Sequence, residues 1–227
     1  DEVALDDRWY AGVGEVRFAV QEEGGLIPLY DTYTLALTRL LGLLETPDAE
    51  REPLLAKLFD YTDPDDLYRL NGAEAAQYRD HDRPPPPNRN LLSPWELRAV
   101  LDWDRLAGWR EYRLPRLTTT VHGGLPNLNT APALVLQTLS GIDSETAQRL
   151  VAGRPYLSFL QANLAAGREL PGDVMGFRLL PSQHLRLSLF HPAVRAVREI
   201  HVQFTPFGEL DPWLIDYVVD IPWERTP

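Results

Sequence analysis

The chain contains no cysteine and only one lysine, Lys57, the rest of its 22 basic residues being arginine. Without thiols it can build neither a disulfide framework nor a thiolate metal centre, so redox chemistry says nothing of its compartment. No run approaches the ~20 apolar residues that a bilayer-spanning helix needs, and the chain opens on Asp1-Glu2 with no signal-like segment. The expectation is a chain that is soluble as given. Positive charge is also scarce, with 22 Lys+Arg against 33 Asp+Glu, a formal net charge of -11 and a pI near 4.9. Such a field opposes a polyanion, and the arginines are scattered among acids instead of forming a stripe. No nucleic-acid partner is expected on this ground.

Catalytic signatures are missing as well. The five histidines, His81, His122, His184, His191 and His201, form no His-Glu-x-x-His pair, and no serine occupies a Gly-x-Ser-x-Gly elbow. Gly12-Val13-Gly14 precedes a strand where a dinucleotide loop should follow one, and so reads as a turn. Paired carboxylates for glycoside hydrolysis meet only in space and leave no linear trace. His184 and His201 alternate with strand leucines and isoleucine, and read as solvent-facing sheet positions rather than ligands. The chain is therefore read as a non-enzyme.

What is present is a change of period along the sequence. Val16, Phe18 and Val20 alternate with Glu15, Arg17 and Ala19 until Glu22-Glu23-Gly24-Gly25 stops the run. At the far end Leu185, Leu187 and Leu189 share one face, as do Ile200, Val202 and Phe204 after them. Trp213, Ile215, Tyr217, Val219, Ile221 and Trp223 then alternate against Asp216 and Asp220. Short connections with Pro192, and then Pro206, Gly208 and Pro212, imply an antiparallel meander that buries one face. The first strand must join this sheet or remain unpaired.

Between these ends the period is helical. Leu37, Leu40, Leu41 and Leu44 form a stripe after an Asp31 or Thr32 cap, and a second helix covers the Leu54 to Phe59 region. Ser93-Pro94-Trp95-Glu96 spells a capping box with proline at the first helical position, ahead of Leu97, Val100 and Leu101. Arg116 to Val121 is either a short strand or an extended connector, and Tyr156 to Ala166 reads as a helix. The prolines between Arg83 and Pro87 make a rigid connector.

Residues 127–151 spell a helix-turn-helix of a restricted kind. Asn129 or Thr130 caps a first helix with Pro132 in its first turn and a stripe of Ala131, Leu134, Val135 and Leu139. After Gly141 and Ile142 comes Asp143, where a hairpin that grips phosphate with its backbone amides would place a second glycine. Ser144 or Asp143 then caps a helix through Ala147, Leu150 and Val151, ended by Gly153 and kept from resuming by Pro155. Two readings follow. One is a nucleic-acid-gripping helix-hairpin-helix, like those of DNA-uptake factors; the other is a relic of that unit in an assembly protein, which the carboxylate of Asp143 favours.

Several spaced motifs share an order with a known family: Asp60-Tyr61-Thr62-Asp63-Pro64-Asp65-Asp66, Asn71-Gly72-Ala73-Glu74 with Tyr78, Asn88-Arg89-Asn90-Leu91-Leu92-Ser93 with Glu96-Leu97, and Asn127-Leu128-Asn129-Thr130-Ala131. With the terminal strands they cover about Glu15 to Trp223, and the chain resembles the general secretion pathway protein K family, minor pseudopilins of bacterial type II secretion. The resemblance implies an α+β fold in which a pilin-like antiparallel sheet is interrupted by a large inserted helical domain containing a helix-hairpin-helix-like (SAM-like) unit. It divides the chain into a first pseudopilin part at 1–28, the inserted domain at 29–175, and a second pseudopilin part with three antiparallel strands at 176–227.

The resemblance further implies a periplasmic domain of an inner-membrane-anchored protein, whose hydrophobic N-terminal membrane helix is absent from this chain. That helix, together with packing within the chain, is expected to cover the apolar face of the sheet. Partners implied are the I-type and J-type minor pseudopilins, in a heterotrimer at the tip of the pseudopilus. Trp9, Tyr10, Val16 and Phe18 are the candidate partner-binding residues, because the filament helices enter near them. The sequence departs from its relatives in following the Glu-Gly-Gly turn with Leu26-Ile27-Pro28-Leu29-Tyr30 instead of a Leu-Asn pair. No cofactor is assigned, but some relatives bind calcium in the helical domain through an acidic loop. Here Asp60, Asp63, Asp65, Asp66 and Glu74 offer hard oxygen donors, without the spacing and turn glycine of an EF-hand. Turn formation and helix capping by the same acids is the competing reading.

Overall fold

The computed structural model describes residues 2–170, 176–207 and 211–222, apart from the side chains of 111 and 112. In chain order the elements open with strands β1 (Asp6–Ala11), β2 (Arg17–Glu22) and β3 (Ile27–Pro28). Helices α1 (Thr34–Leu43), α2 (Asp48–Thr62), α3 (Ala75–Asp80) and α4 (Arg113–Leu117) follow, then strand β4 (Thr118–Thr119). Helices α5 (Ala133–Ser140), α6 (Ser144–Ala152) and α7 (Phe159–Ala166) lead to β5 (His184–His191), β6 (Ala196–Phe204) and β7 (Trp213–Pro222). Two compact units result, one from 1–26, 123–136 and 143–227, the other from 27–122 and 137–142. The expected inserted domain ran from 29 to 175, whereas α6 and α7 group with the sheet strands. A helical period marks a helix but not the element that will share its core.

The first unit holds an antiparallel sheet of five strands in the order β1-β2-β5-β6-β7. The strand read near the N-terminus does join the meander: Val20 pairs with Leu187 and Phe18 with Leu189. A further strand, β1, precedes it. Its sequence Asp-Asp-Arg-Trp-Tyr-Ala has no apolar alternation, and it becomes a strand by pairing with β2 through a tight turn in which Gly12 N donates to Val16 O at 2.8 Å. Trp223 and Gly208, invoked in the sequence reading, lie outside the described residues.

Which face of this sheet is covered reverses the simple hydrophobic reading. On one face Ala19, Gln21, Arg186, Ser188, Phe190, Val197, Glu199 and His201 of β2, β5 and β6 are buried, whereas on the other Leu185, Leu187 and Leu189 are only half-buried and Glu22 alone of these strands is buried. His201, read as solvent-facing, is buried with them. Period two tells which side chains share a face, but not which of the two faces receives cover. Arg186 is stable in the interior because carboxylates attend it. Burial pulls its pKa down, but Glu199, Asp7 and Glu23 overcome that and raise it above the usual arginine value. β7 at the sheet's edge stays open to solvent, with Ile215 49% and Val218 51% exposed.

The second unit is built on α1 and α2, which pack on each other. Leu37, Leu40, Leu41, Leu54, Leu58, Leu97 and Leu114 are buried, each contributing about 1.5–3 kcal/mol by leaving water. Trp103 and Tyr78 are buried as well, and their polar ends are satisfied. Trp103 Nε1 donates to Leu54 O at 2.8 Å, and Tyr78 Oη accepts from Leu101 N at 3.1 Å. The two helix starts expected here form differently. The stripe of α1 is entered through a 3-10 turn, Asp31–Tyr33, and no side chain caps it. Pro94–Ala99 is a 3-10 helix without a serine cap; Glu96 instead accepts from Leu92 N at 2.8 Å and pairs with Arg89. An upstream arginine therefore competes for the glutamate that a capping box requires. Thr118 and Thr119 do form a short strand, pairing in parallel with Ile27 and Pro28.

Candidate assembly surface

Two of the motifs meet in one buried joint within the sheet unit. Glu22, the last residue of β2, is wholly buried, and its Oε1 accepts from Gly24 N at 2.9 Å, Ser182 N at 2.8 Å and Arg178 Nη2 at 2.8 Å. Its Oε2 accepts from Thr130 Oγ1 at 2.6 Å. Four donors, one of them a guanidinium, meet the requirement that a buried carboxylate be both paired and hydrogen-bonded. Gln21 Nε2 adds a bond to Thr130 O at 3.1 Å, and Asn127 N donates to Gly24 O at 2.8 Å. Gly25 has to be glycine, since a Cβ there would lie 2.7 Å from the carbonyl carbon of Thr130 and 2.8 Å from Ala131 N. The Glu-Glu-Gly-Gly turn and the Asn-Leu-Asn-Thr-Ala segment are thus halves of one structural lock.

The two residues read as caps of the first helix of 127–151 carry long-range bonds as well. Thr130 Oγ1 donates to Glu22, and Asn129 Nδ2 donates to Tyr156 O at 2.9 Å and Leu179 O at 3.0 Å. The turn that follows behaves as expected. Gly141 has φ +63°, and Asp143 caps α6 by accepting from Thr146 N at 2.8 Å. That backbone bond holds the Asp143 carboxyl below the usual carboxylate range, so the turn presents a negative charge where a phosphate would have to approach.

Opposite the covered face lies an apolar surface read directly from the register. Val20, Leu187, Ile200 and Val218 form one row across β2, β5, β6 and β7, each half-buried or exposed. Tyr10 pairs with Phe18 on the same side, their rings stacked at 5.5 Å between centroids. Of the four N-terminal candidates the structure brings Tyr10 and Phe18 to this surface. Trp9 pairs with Ala19 on the other face, and Val16 closes the β1–β2 turn. The row on β5 was legible as a leucine stripe; that it is the less covered face was not.

In the helical unit the acidic residues are tied mostly to neighbours. Asp60, fully buried, accepts from Ala73 N at 2.9 Å and from Arg69 Nη1 at 2.9 Å, and Arg69 bridges on to Asp63. Asp65 accepts from Leu67 N at 2.8 Å, and Asp66 from Asn88 Nδ2 at 2.9 Å. Glu74 differs. It is buried, and its carboxylate meets no donor beyond the weak reciprocal capping contact with Gln77 at the start of α3. Burial first, then Asp60, Asp63, Asp66 and Asp65, push its pKa up to about 7. Arg69 is the cation present in this loop.

Fold and surface together define an α+β protein with an antiparallel sheet, interrupted in sequence by helices and leaving one apolar sheet face partly exposed. Two family models, both describing protein K of the type II secretion system, match residues 22–108 and 126–168 and together span more than half of the chain. The chain belongs to the type II secretion system protein K family, a component of a secretion system. One match begins at Glu22 and the other just before Asn127, the two sides of the buried joint. No curated protein matches the chain. Among solved structures it is similar to a chain in the crystal structure of the GspK-GspI-GspJ complex from enterotoxigenic Escherichia coli, with a TM-score of 0.64 and 15% identity over 94% of this chain and 82% of that one. At that identity the likeness is one of fold.

Proposed function

We propose that this protein is a non-catalytic minor pseudopilin that works by binding, in a complex with I-type and J-type pseudopilins at the tip of a periplasmic pseudopilus. The observation that carries the reading is the apolar row Val20, Leu187, Ile200 and Val218 on a sheet whose other face is buried. Such a surface calls for cover. Its occupant in this reading is a hydrophobic N-terminal helix that anchors the full-length protein in the inner membrane, with the pseudopilin partners lying beside the Tyr10–Phe18 edge. Support comes from the family match and from the similar fold of a chain whose crystal structure contains GspI and GspJ. The helices inserted in the sequence of the sheet add bulk that a repeating filament subunit does not carry, which suits a terminal position. The α5–turn–α6 unit serves as a structural remnant of a helix-hairpin-helix (SAM-like) fold, since Asp143 occupies its anion site. Size-exclusion chromatography with light scattering on the chain mixed with its cognate I-type and J-type soluble domains is expected to show a one-to-one-to-one complex. Elution of this chain alone while the other two associate would sink the assignment.

A second reading concerns calcium in the acidic loop, and Glu74 favours it. A buried carboxylate with only a weak capping contact, among four aspartates, is a natural oxygen ligand for a hard cation. Calcium binding to the folded chain alone raises its melting temperature. Melting in calcium and in EDTA should therefore differ, and the double variant Asp65→Ala, Asp66→Ala should abolish the difference. Superimposable curves leave Arg69 as the only counter-charge of the loop.

A further inference from the structure

The most unusual cluster in the molecule lies on the covered face of the sheet near its open edge. His184 on β5, His201 on β6 and Asp216 on β7 each offer a ligand atom, and the three atoms lie within 4.8 Å of one another. His201 Nδ1 is 2.7 Å from Asp216 Oδ2, and the His184 and His201 rings stack at 5.8 Å. Tyr217 stacks on His201 from the other side at 5.0 Å, which fixes that ring in place. His184 Nδ1 is buried and has no hydrogen-bond partner.

Asp216 reaches this group because of an irregularity in the sheet. His201 pairs with Tyr217, and the next residue of β6, Val202, pairs with Ile215, so Asp216 is the extra residue of a β-bulge. In a regular ladder its side chain would point to the face opposite Tyr217. Bulges commonly serve to re-aim one side chain near a site. Here the bulge turns a carboxylate toward two imidazoles on neighbouring strands.

We propose that His184, His201 and Asp216 bind a zinc-class divalent metal ion that clamps strands β5, β6 and β7 together. Two imidazoles and one carboxylate are a donor set suited to such an ion, and water can take a fourth position. Zinc holds nitrogen and oxygen ligands at about 2.0–2.2 Å, which in a tetrahedral site sets them roughly 3.4 Å apart, so the wider separations here must close and the His201–Asp216 contact must open slightly. Rotation of the half-buried His184 and the exposed Asp216 supplies that movement, while His201 stays held by its stack on Tyr217. The consequence is mechanical, because β7 is otherwise held to the sheet by β6 alone. The inference rests on this geometry and is independent of the secretion reading.

The test uses the chelator-treated chain titrated with zinc chloride by calorimetry, and with cobalt chloride by absorbance. One ion per chain with micromolar or tighter affinity is expected, with the d–d bands of cobalt in a low-coordinate site bearing nitrogen ligands. Asp216→Asn and His184→Asn are each expected to weaken binding at least tenfold, whereas His191→Asn on the same strand leaves it unchanged. Asp216 is exposed, so its variant tests the site even if the histidine variant folds poorly. Failure to bind at tens of micromolar metal, or binding that Asp216→Asn does not weaken, overturns the proposal.

Discussion

The carboxylate of Glu22 and the guanidinium of Arg178, 156 residues apart in sequence, meet at 2.8 Å with Glu22 fully buried. Three further donors converge on the same carboxylate, from Gly24, Thr130 and Ser182. Removing the charge leaves them and Arg178 poorly satisfied, a situation that costs about 3–5 kcal/mol when a buried pair is broken. Glu22→Gln is therefore expected to lower stability by about 3 kcal/mol in urea denaturation. The exposed pair Arg198–Asp220 on the sheet surface serves as the contrast, since Asp220→Asn is expected to leave the midpoint nearly unmoved. A loss under about 1 kcal/mol for Glu22→Gln would show that the joint is not a stability centre.

The two glycines Gly25 and Gly141 are expected to respond differently to alanine. At Gly25 the new methyl would lie 2.6 Å from Thr130 Oγ1 and against backbone atoms that cannot swing away, so about 2 kcal/mol or more is expected. At Gly141 there is open space, and only the φ of +63° opposes a side chain, at a cost of about 1 kcal/mol. Denaturant midpoints of the two variants decide it; a larger loss at Gly141 would contradict the packing described at the joint.

Glu74 makes stability depend on pH in a stated direction. Its carboxyl titrates near 7 in the folded chain against 4.5 as an unperturbed group, so the folded state holds its proton more tightly than the unfolded chain does. Stability must then fall as pH rises through that window and level off above it. Glu74→Gln, which cannot ionise, is expected to melt a few degrees above the parent at pH 7.5 in the absence of calcium, a gain of about 1–2 kcal/mol that shrinks toward pH 4.5. A constant difference at both ends of the range would mean that the carboxylate is solvated.

The inverted sheet faces give a fourth expectation. Arg186→Leu places an apolar residue in the interior, yet it strands Glu199, and its cost is expected to reach about 3 kcal/mol. Leu187→Ser, next in sequence but on the less covered face, is expected to cost about 1 kcal/mol in the isolated chain. If Leu187 proves the costlier of the two in urea denaturation, the covered face has been assigned the wrong way round.

Much was determined by local pattern alone. The strands of the terminal meander, the leucine stripe of α1, the Asp143 cap of α6 and the spaced motifs that mark the family all depend on residues near one another in sequence, where propensity and periodicity act. Other features were decided only by tertiary structure. β1 exists because β2 pairs with it, since Asp6 to Ala11 carries no pattern of its own. Thr130 and Asn129 look like local helix caps in sequence, and nothing there shows that they also bond Glu22, Tyr156 and Leu179, partners 27 to 108 residues away. The choice of buried face, and the bulge that carries Asp216 toward His201, leave no trace in a period of two, because alternation is symmetric between the faces and blind to one extra residue in a neighbouring strand.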